Sequence, residues 1–293
     1  MRILYICLLC LLALFIILSF SYKFYESFTQ NNILSIDNIK TITKKISIYR
    51  PVQSTNLSKV KTYIINELNK IPKFIVQEQK FTRIINNIQY NFSNIIATNS
   101  NQRPKIILGA HLDSPQIDGI QATIDACTSI AIIIEIISKL SETNNDLPIQ
   151  VVFFDGEEAI DGTWKSSNTL SGSRYFVSNL EYKPEQVIIC DLIGGDINTN
   201  KIYGFASNPN SIQVVNDLAK YSSEIFVSNI LSYKTITADH TPFIEANIPA
   251  TILIPETFPW SHHTLNDNLT NVNWDYVEKF ANGLYSYLYN KIF

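Results

Sequence analysis

Short solid apolar runs recur along the chain, separated by longer stretches with helical periodicity. Thr55 to Asn69 follows a cap-like Ser54 and places Leu57, Val60, Ile64, Ile65 and Leu68 at helical spacing. Phe74 to Phe81 and Tyr90 to Thr98 alternate in part and predict two strands, with Asn86-Asn87 as the turn of an antiparallel hairpin. Lys105 to Gly109, Ile149 to Phe154, Gln186 to Cys190 and Pro249 to Ile254 are apolar and bounded by polar residues, as strands buried on both faces are. Asp125 to Leu140 is apolar on several faces, and its length makes it a buried helix despite its β-branched residues. Leu170 to Asn179 and Ser211 to Tyr221 predict further helices, and Trp274 to Tyr289 an amphipathic closing one. Strands alternating with helices predict an α/β fold: a mostly parallel central sheet with an antiparallel edge hairpin and helices on both faces. One catalytic domain is expected over residues 51–293, preceded by a connecting segment at 23–50.

Ile3 to Phe20 carries no charge and is apolar apart from Ser19. As a helix it spans roughly 27 Å, enough for a bilayer core. Ser19 and Ser21 also suit signal-peptide cleavage. Residues 1–22 therefore read as a signal peptide or a membrane anchor, and either puts the rest of the chain outside the cytoplasm.

Hydrophobic residues make up 46% of the 293 and charged residues 17%, values of a globular chain rather than a disordered one. A net charge of −3 with no basic run excludes a phosphate-backbone partner, so no nucleic acid is expected. The four cysteines form no paired CxxC motif, so a thiolate zinc site is not expected, and Cys127 and Cys190 read as buried free thiols.

Chemistry enters at Val151 to Glu158 (VVFFDGEE), a buried strand ending in a turn with three acids in four positions. Ligands in α/β proteins sit beyond the carboxyl ends of such strands. Other polar residues fall at equivalent places: His111 and Asp113 after KIILG, Asp191 after VIIC, His262 and His263 beyond TILIP, and Asp125 at the start of the apolar helix. In a parallel sheet these ends converge. One histidine and two carboxylates with a position left open is a catalytic zinc pattern.

With these residues in hand, the chain resembles the glutaminyl-peptide cyclotransferases, within the wider group of zinc aminopeptidase-like (M28-type) hydrolases. The resemblance rests on FSNIIAT (92–98), AHLDS (110–114), ATIDA (122–126), FFDGEEA (153–159), SGSR (171–174), CDLIGG (190–195), ADHTPF (238–243) and IPETFPWSHHTLNDN (254–268), in order over about residues 50–290. It implies cyclisation of the N-terminal glutamine of peptides or proteins to pyroglutamate, with release of ammonia. It implies one zinc ion per chain, held by Asp125, Glu158 and His263. Glu157 would be the proton shuttle and Asp191 a carboxylate hydrogen-bonded near it, while Trp164, Phe258 and His262 would line the substrate pocket. Two residues depart from the family pattern. Ala238 stands where the first of an acidic pair is expected, leaving only Asp239, and His262 stands where a tryptophan precedes the zinc histidine. Trp260, two residues earlier, is placed to fill part of that space. The alternative is an aminopeptidase, in which His111 and Asp191 would hold a second metal bridged by Asp125. At this level the metal count stays open. A non-catalytic binding ectodomain would have no use for the retained ligand set.

Overall fold

The structure, a computed structural model, describes residues 34–99, 103–143, 146–195, 202–206, 209–221, 225–226, 236–255 and 257–293. The apolar segment 3–20 lies outside them. Among the described residues no helix is long and apolar enough to cross a membrane.

The compact unit begins at Leu34, not at residue 51. Helix α1 (Ile36–Ile46) buries Ile39, Ile42 and Ile46, so residues 34–50 belong to the domain rather than to a connecting segment. Glu135, an acid inside the apolar helix α3 (Thr128–Thr143), accepts from the Ser35 amide at 2.8 Å and from Asn38 Nδ2 at 2.5 Å, and so pins the start of α1. Helix α2 (Thr55–Leu68) is capped by Ser54, whose Oγ accepts from the Leu57 amide.

Strands β1 (Phe74–Ile85) and β2 (Ile88–Asn99) form the hairpin, which continues further toward its turn than its sequence pattern suggests. Its turn is Asn86-Asn87, both with positive φ (51° and 63°), as a two-residue hairpin requires. Strands β3 (Ile106–His111), β4 (Ile149–Phe154), β5 (Gln186–Cys190) and β7 (Ala250–Pro255) are buried at every position. With β6 (Ile202–Ala206) the order is β1-β2-β4-β3-β5-β7-β6. Pairing is parallel through β4-β3-β5-β7 and antiparallel at both edges. The expected mixed sheet is present, but with a second antiparallel edge strand, β6, that its short glycine-containing sequence did not reveal.

Helices α4 (Ser171–Ser178) and α6 (Thr241–Glu245) pack together, while α5 (Pro209–Tyr221) and α7 (Trp274–Ile292) join α3 and α1. Space for β3 against its neighbours depends on Gly109, where an added Cβ would stand 2.8 Å from Phe154 and 2.9 Å from Ile189. Cys127 and Cys190 are both buried and free.

Candidate metal centre and active site

The parallel strands deliver their chemistry at one edge. His111 ends β3, Asp191 follows β5, and the Gly156-Glu157-Glu158 turn follows β4. Asp113 fixes that turn. Its fully buried carboxylate accepts from the backbone amides of Gly156 (3.0 Å), Glu157 (3.1 Å) and Glu158 (3.1 Å). From the other side, the Leu170 and Ser171 amides donate to the carbonyls of Glu157 and Gly156. Asp155 is tied down by Lys61 at 2.5 Å and by the Ser93 amide at 2.7 Å.

Asp125 does not begin a regular helix. It sits in a single wide turn (Thr123–Cys127) with φ −113° and ψ 79°, and α3 proper starts only at Thr128. Two residues outside the expected set hold this turn. The fully buried Arg50 guanidinium donates to the carbonyls of Leu112 (2.7 Å), Gln121 (2.7 Å), Ala122 (3.1 Å) and Asp125 (3.2 Å). Asp267 accepts from the Ile124 amide at 2.7 Å. Neither carries a sequence signal, since both work on backbone groups, although Asp267 lies only four residues beyond His263.

The side chains meet as follows. His111 Nε2 is 2.8 Å from Asp125 Oδ1 and 3.5 Å from Asp191 Oδ1. His263 Nε2 is 3.3 Å from Glu158 Oε1 and 3.4 Å from Asp125 Oδ2. Among the described residues the buried Asp125 Oδ2 has no hydrogen-bond partner, and neither has Asp191 Oδ1. Ligand atoms of Asp125, His262 and His263, of His111, Asp125 and Asp191, and of His111, Glu157 and Glu158 form three groups, each within 4.8 Å.

These carboxylates crowd a low-dielectric space. Burial pushes Glu158 up to about 7, with Asp125 adding to the rise. Burial also holds Glu157 well above the usual carboxylate range, and the charges of Glu158, Asp239 and Asp191 push the same way against His111. For Asp125, burial is outweighed by His111 and His263, which hold it well below that range. Burial likewise works against charge on His263, yet Asp125 and Glu158 carry it up to about 10. The cluster thus favours positive charge at its centre. A carboxylate oxygen each from Asp125, where Oδ2 is the orphan, and Glu158, with the His263 nitrogen, fit a zinc ion.

The cluster opens into a cavity of about 450 Å³ lined by Trp164, Leu192, Ile254, Phe258 and His262 as well as the ionisable groups. A larger open groove, about 750 Å³, lies between α2 and the hairpin, but its charged side chains Lys61, Lys80 and Glu78 are already paired and it gathers no ligand set. Ala238 lines the cavity wall where an acid was expected. Asp239 behind it is buried, and burial pushes its carboxyl up to about 7 against the lowering effect of Ser173. Trp260 does not fill the place of the missing tryptophan: it is 63% exposed and lies outside the cavity lining. The structure therefore gathers Asp125, Glu157, Glu158, Asp191, His262 and His263 with Trp164 and Phe258 at one cavity, and sets His111 behind Asp125.

Residues 94–288 match the model of peptidase family M28. The chain is 26% identical over 277 residues to a glutaminyl-peptide cyclotransferase of Drosophila melanogaster, covering 83% of this chain and 77% of that protein. It is 30% identical over 234 residues to one of Boiga dendrophila, covering 65% of this chain and 63% of the snake protein. The chain thus spans a little under two thirds of that relative's length. Among solved structures, a glutaminyl cyclase of Macrostomum lignano superposes with a TM-score of 0.80 at 23% identity, covering 89% of this chain and 91% of that one.

Proposed function

The chain belongs to peptidase family M28, and from that premise we propose that it is a zinc-dependent glutaminyl-peptide cyclotransferase. Its substrates are peptides or proteins with N-terminal glutamine, and the apolar segment at 3–20 delivers it outside the cytoplasm as an anchored or secreted enzyme. The observation that carries the reading is Glu157: a buried carboxyl beside the ligand set, held well above the usual carboxylate range by burial.

Asp125, Glu158 and His263 would hold the zinc, which supplies Lewis-acid polarisation of the substrate's γ-carboxamide carbonyl when bound. Trp164 and Phe258 flank the cavity and take up the methylene stem of the glutamine side chain. Glu157 accepts a proton from the α-amine as that nitrogen attacks the γ-carbon, then returns it to the departing nitrogen, so that ammonia leaves and the ring closes. Proton transfer by a carboxyl held in place for both steps is typically worth about 10²–10⁴-fold. Attack is intramolecular, so holding the side chain folded contributes much of the remaining rate.

An aminopeptidase of the same family is the second reading, favoured by the presence of His111 and Asp191 beside Asp125. Incubating the zinc-loaded protein with a short peptide bearing N-terminal glutamine separates the readings. Loss of ammonia with the peptide otherwise intact is the expected product. Release of the first residue as a free amino acid would make it a peptidase.

A further inference from the structure

We infer that His262 is a fourth, displaceable protein ligand of the metal, an inference that rests on the metal site proposed above. Consecutive side chains on an extended backbone point to opposite faces. Here His263 adopts a left-handed backbone (φ 55°), and the two rings come to lie on the same side, stacked with centroids 3.8 Å apart and 24° between planes. Both Nε2 atoms approach one oxygen: Asp125 Oδ2 stands 3.4 Å from His263 and 3.7 Å from His262. That oxygen is buried and has no hydrogen-bond partner among the described residues. The three ligand atoms lie within 4.8 Å of one another. Nitrogen ligands of one zinc each stand at about 2.0–2.1 Å from it, so both imidazoles reach one ion once the stack opens and each ring turns until the ion lies in its plane.

His262 is also held in place. Its side chain is only 25% exposed, and Phe258 packs edge-on against its outer side at 4.9 Å. This sandwich leaves Nε2 facing the carboxylates and not the solvent. His262 would join Asp125 and His263 at the ion, with Glu158, 3.3 Å from His263, as the remaining ligand; a site filled by four protein ligands has no open position. Turnover then requires the substrate carbonyl to displace an imidazole rather than a water. The chain would trade easy access for a tighter hold on its metal.

X-ray absorption of the zinc-loaded wild-type protein, free of substrate, is the deciding measurement. Two imidazoles per zinc are expected, falling to one in His262→Phe, which keeps an aromatic ring in the stack. Zinc affinity, read by competition with a chelator, should fall about 100-fold or more in that variant, at or beyond the upper end of what losing an outer partner costs. The visible bands of the Co²⁺-substituted protein should shift with it. A single imidazole in the wild type, with zinc lost in His263→Ala, would overturn the role of His262 and leave the metal site standing. Zinc retained at full affinity in His263→Ala would overturn the metal site itself.

Discussion

Asp113 touches neither substrate nor metal in the proposed scheme, yet the turn that carries Glu157 and Glu158 hangs on it. Its carboxylate accepts three backbone N–H groups, at 3.0, 3.1 and 3.1 Å, with no access to water. In Asp113→Asn the oxygen facing Gly156 and Glu157 can stay, but an NH₂ group then faces the Glu158 amide. One charge-assisted bond is lost and a buried donor is left unsatisfied, at about 1.5–3 kcal/mol. The two surviving bonds lose their charge assistance and roughly half their strength. The sum is about 3–5 kcal/mol, or about 10 °C in melting temperature for a domain of this size. A turn that relaxes by about 1 Å should also cost about 100-fold in turnover, because Glu157 no longer meets the amine squarely. Urea and thermal unfolding measure the first effect, and ammonia release from a glutaminyl peptide the second. An Asp113→Asn protein within about 1 kcal/mol of wild type, with unchanged kcat, would refute the claim that this carboxylate positions the turn.

Glu157→Gln should abolish cyclisation while zinc stays bound, because the amide can neither take nor return a proton; measurable turnover at the wild-type rate would remove Glu157 from the mechanism. Gly172→Ala should cost at least about 3 kcal/mol, since a Cβ there meets Asn94 Oδ1 and the backbone N and O of Asp155 well inside contact distance, so that helix α4 must back away from the catalytic turn; a melting temperature equal to wild type would show that the helix has room to move. His240 is buried, and burial lowers it from 6.5 to about 4. The unfolded chain therefore takes up a proton below pH 6.5 that the folded one refuses until about pH 4, so stability is full above 6.5, falls across that window by on the order of 3 kcal/mol, and levels off below it. His240→Phe should remove this portion of the slope from the metal-free protein's stability profile, and an unchanged profile would show that His240 is not held neutral.

Much of the fold could be read in the sequence because the central strands are buried on both faces. KIILG, VVFF and VIIC have no polar face to confuse their assignment, and the solid runs match β3, β4 and β5. The hairpin was legible from its asparagine pair. What escaped notice had weaker signatures. Strand β6 (Ile202–Ala206) is a short edge strand with a glycine in its middle. Helix α1 does carry apolar residues at Ile39, Ile42 and Ile46, a helical spacing, but it lies within the stretch 23–50 that reads as a connecting segment. Its burial is decided by partners a hundred residues away, chiefly Glu135.

The site divides along the same line. The proposed ligands announce themselves by type and by position after strands, and the sheet order brings them together. The residues that hold them do not, because they act on peptide groups shared by every sequence. Arg50 reaches the carbonyls of Leu112 and Asp125 together, so the loop after β3 and the turn bearing Asp125 cannot move independently. Asp267 ties the loop bearing His263 to the amide of Ile124, next to Asp125. Asp113 joins the end of β3 to the turn bearing Glu157 and Glu158. Every segment that supplies a proposed ligand is thus braced to a neighbouring segment by a buried polar side chain bonded to backbone. Such bracing fixes ligand positions before any ion arrives, and it explains how the chain can accept Ala238 and His262 at the cavity wall without losing the geometry behind it. Those two substitutions change what the cavity presents to a substrate, while the braces that hold Asp125, Glu158 and His263 remain in place.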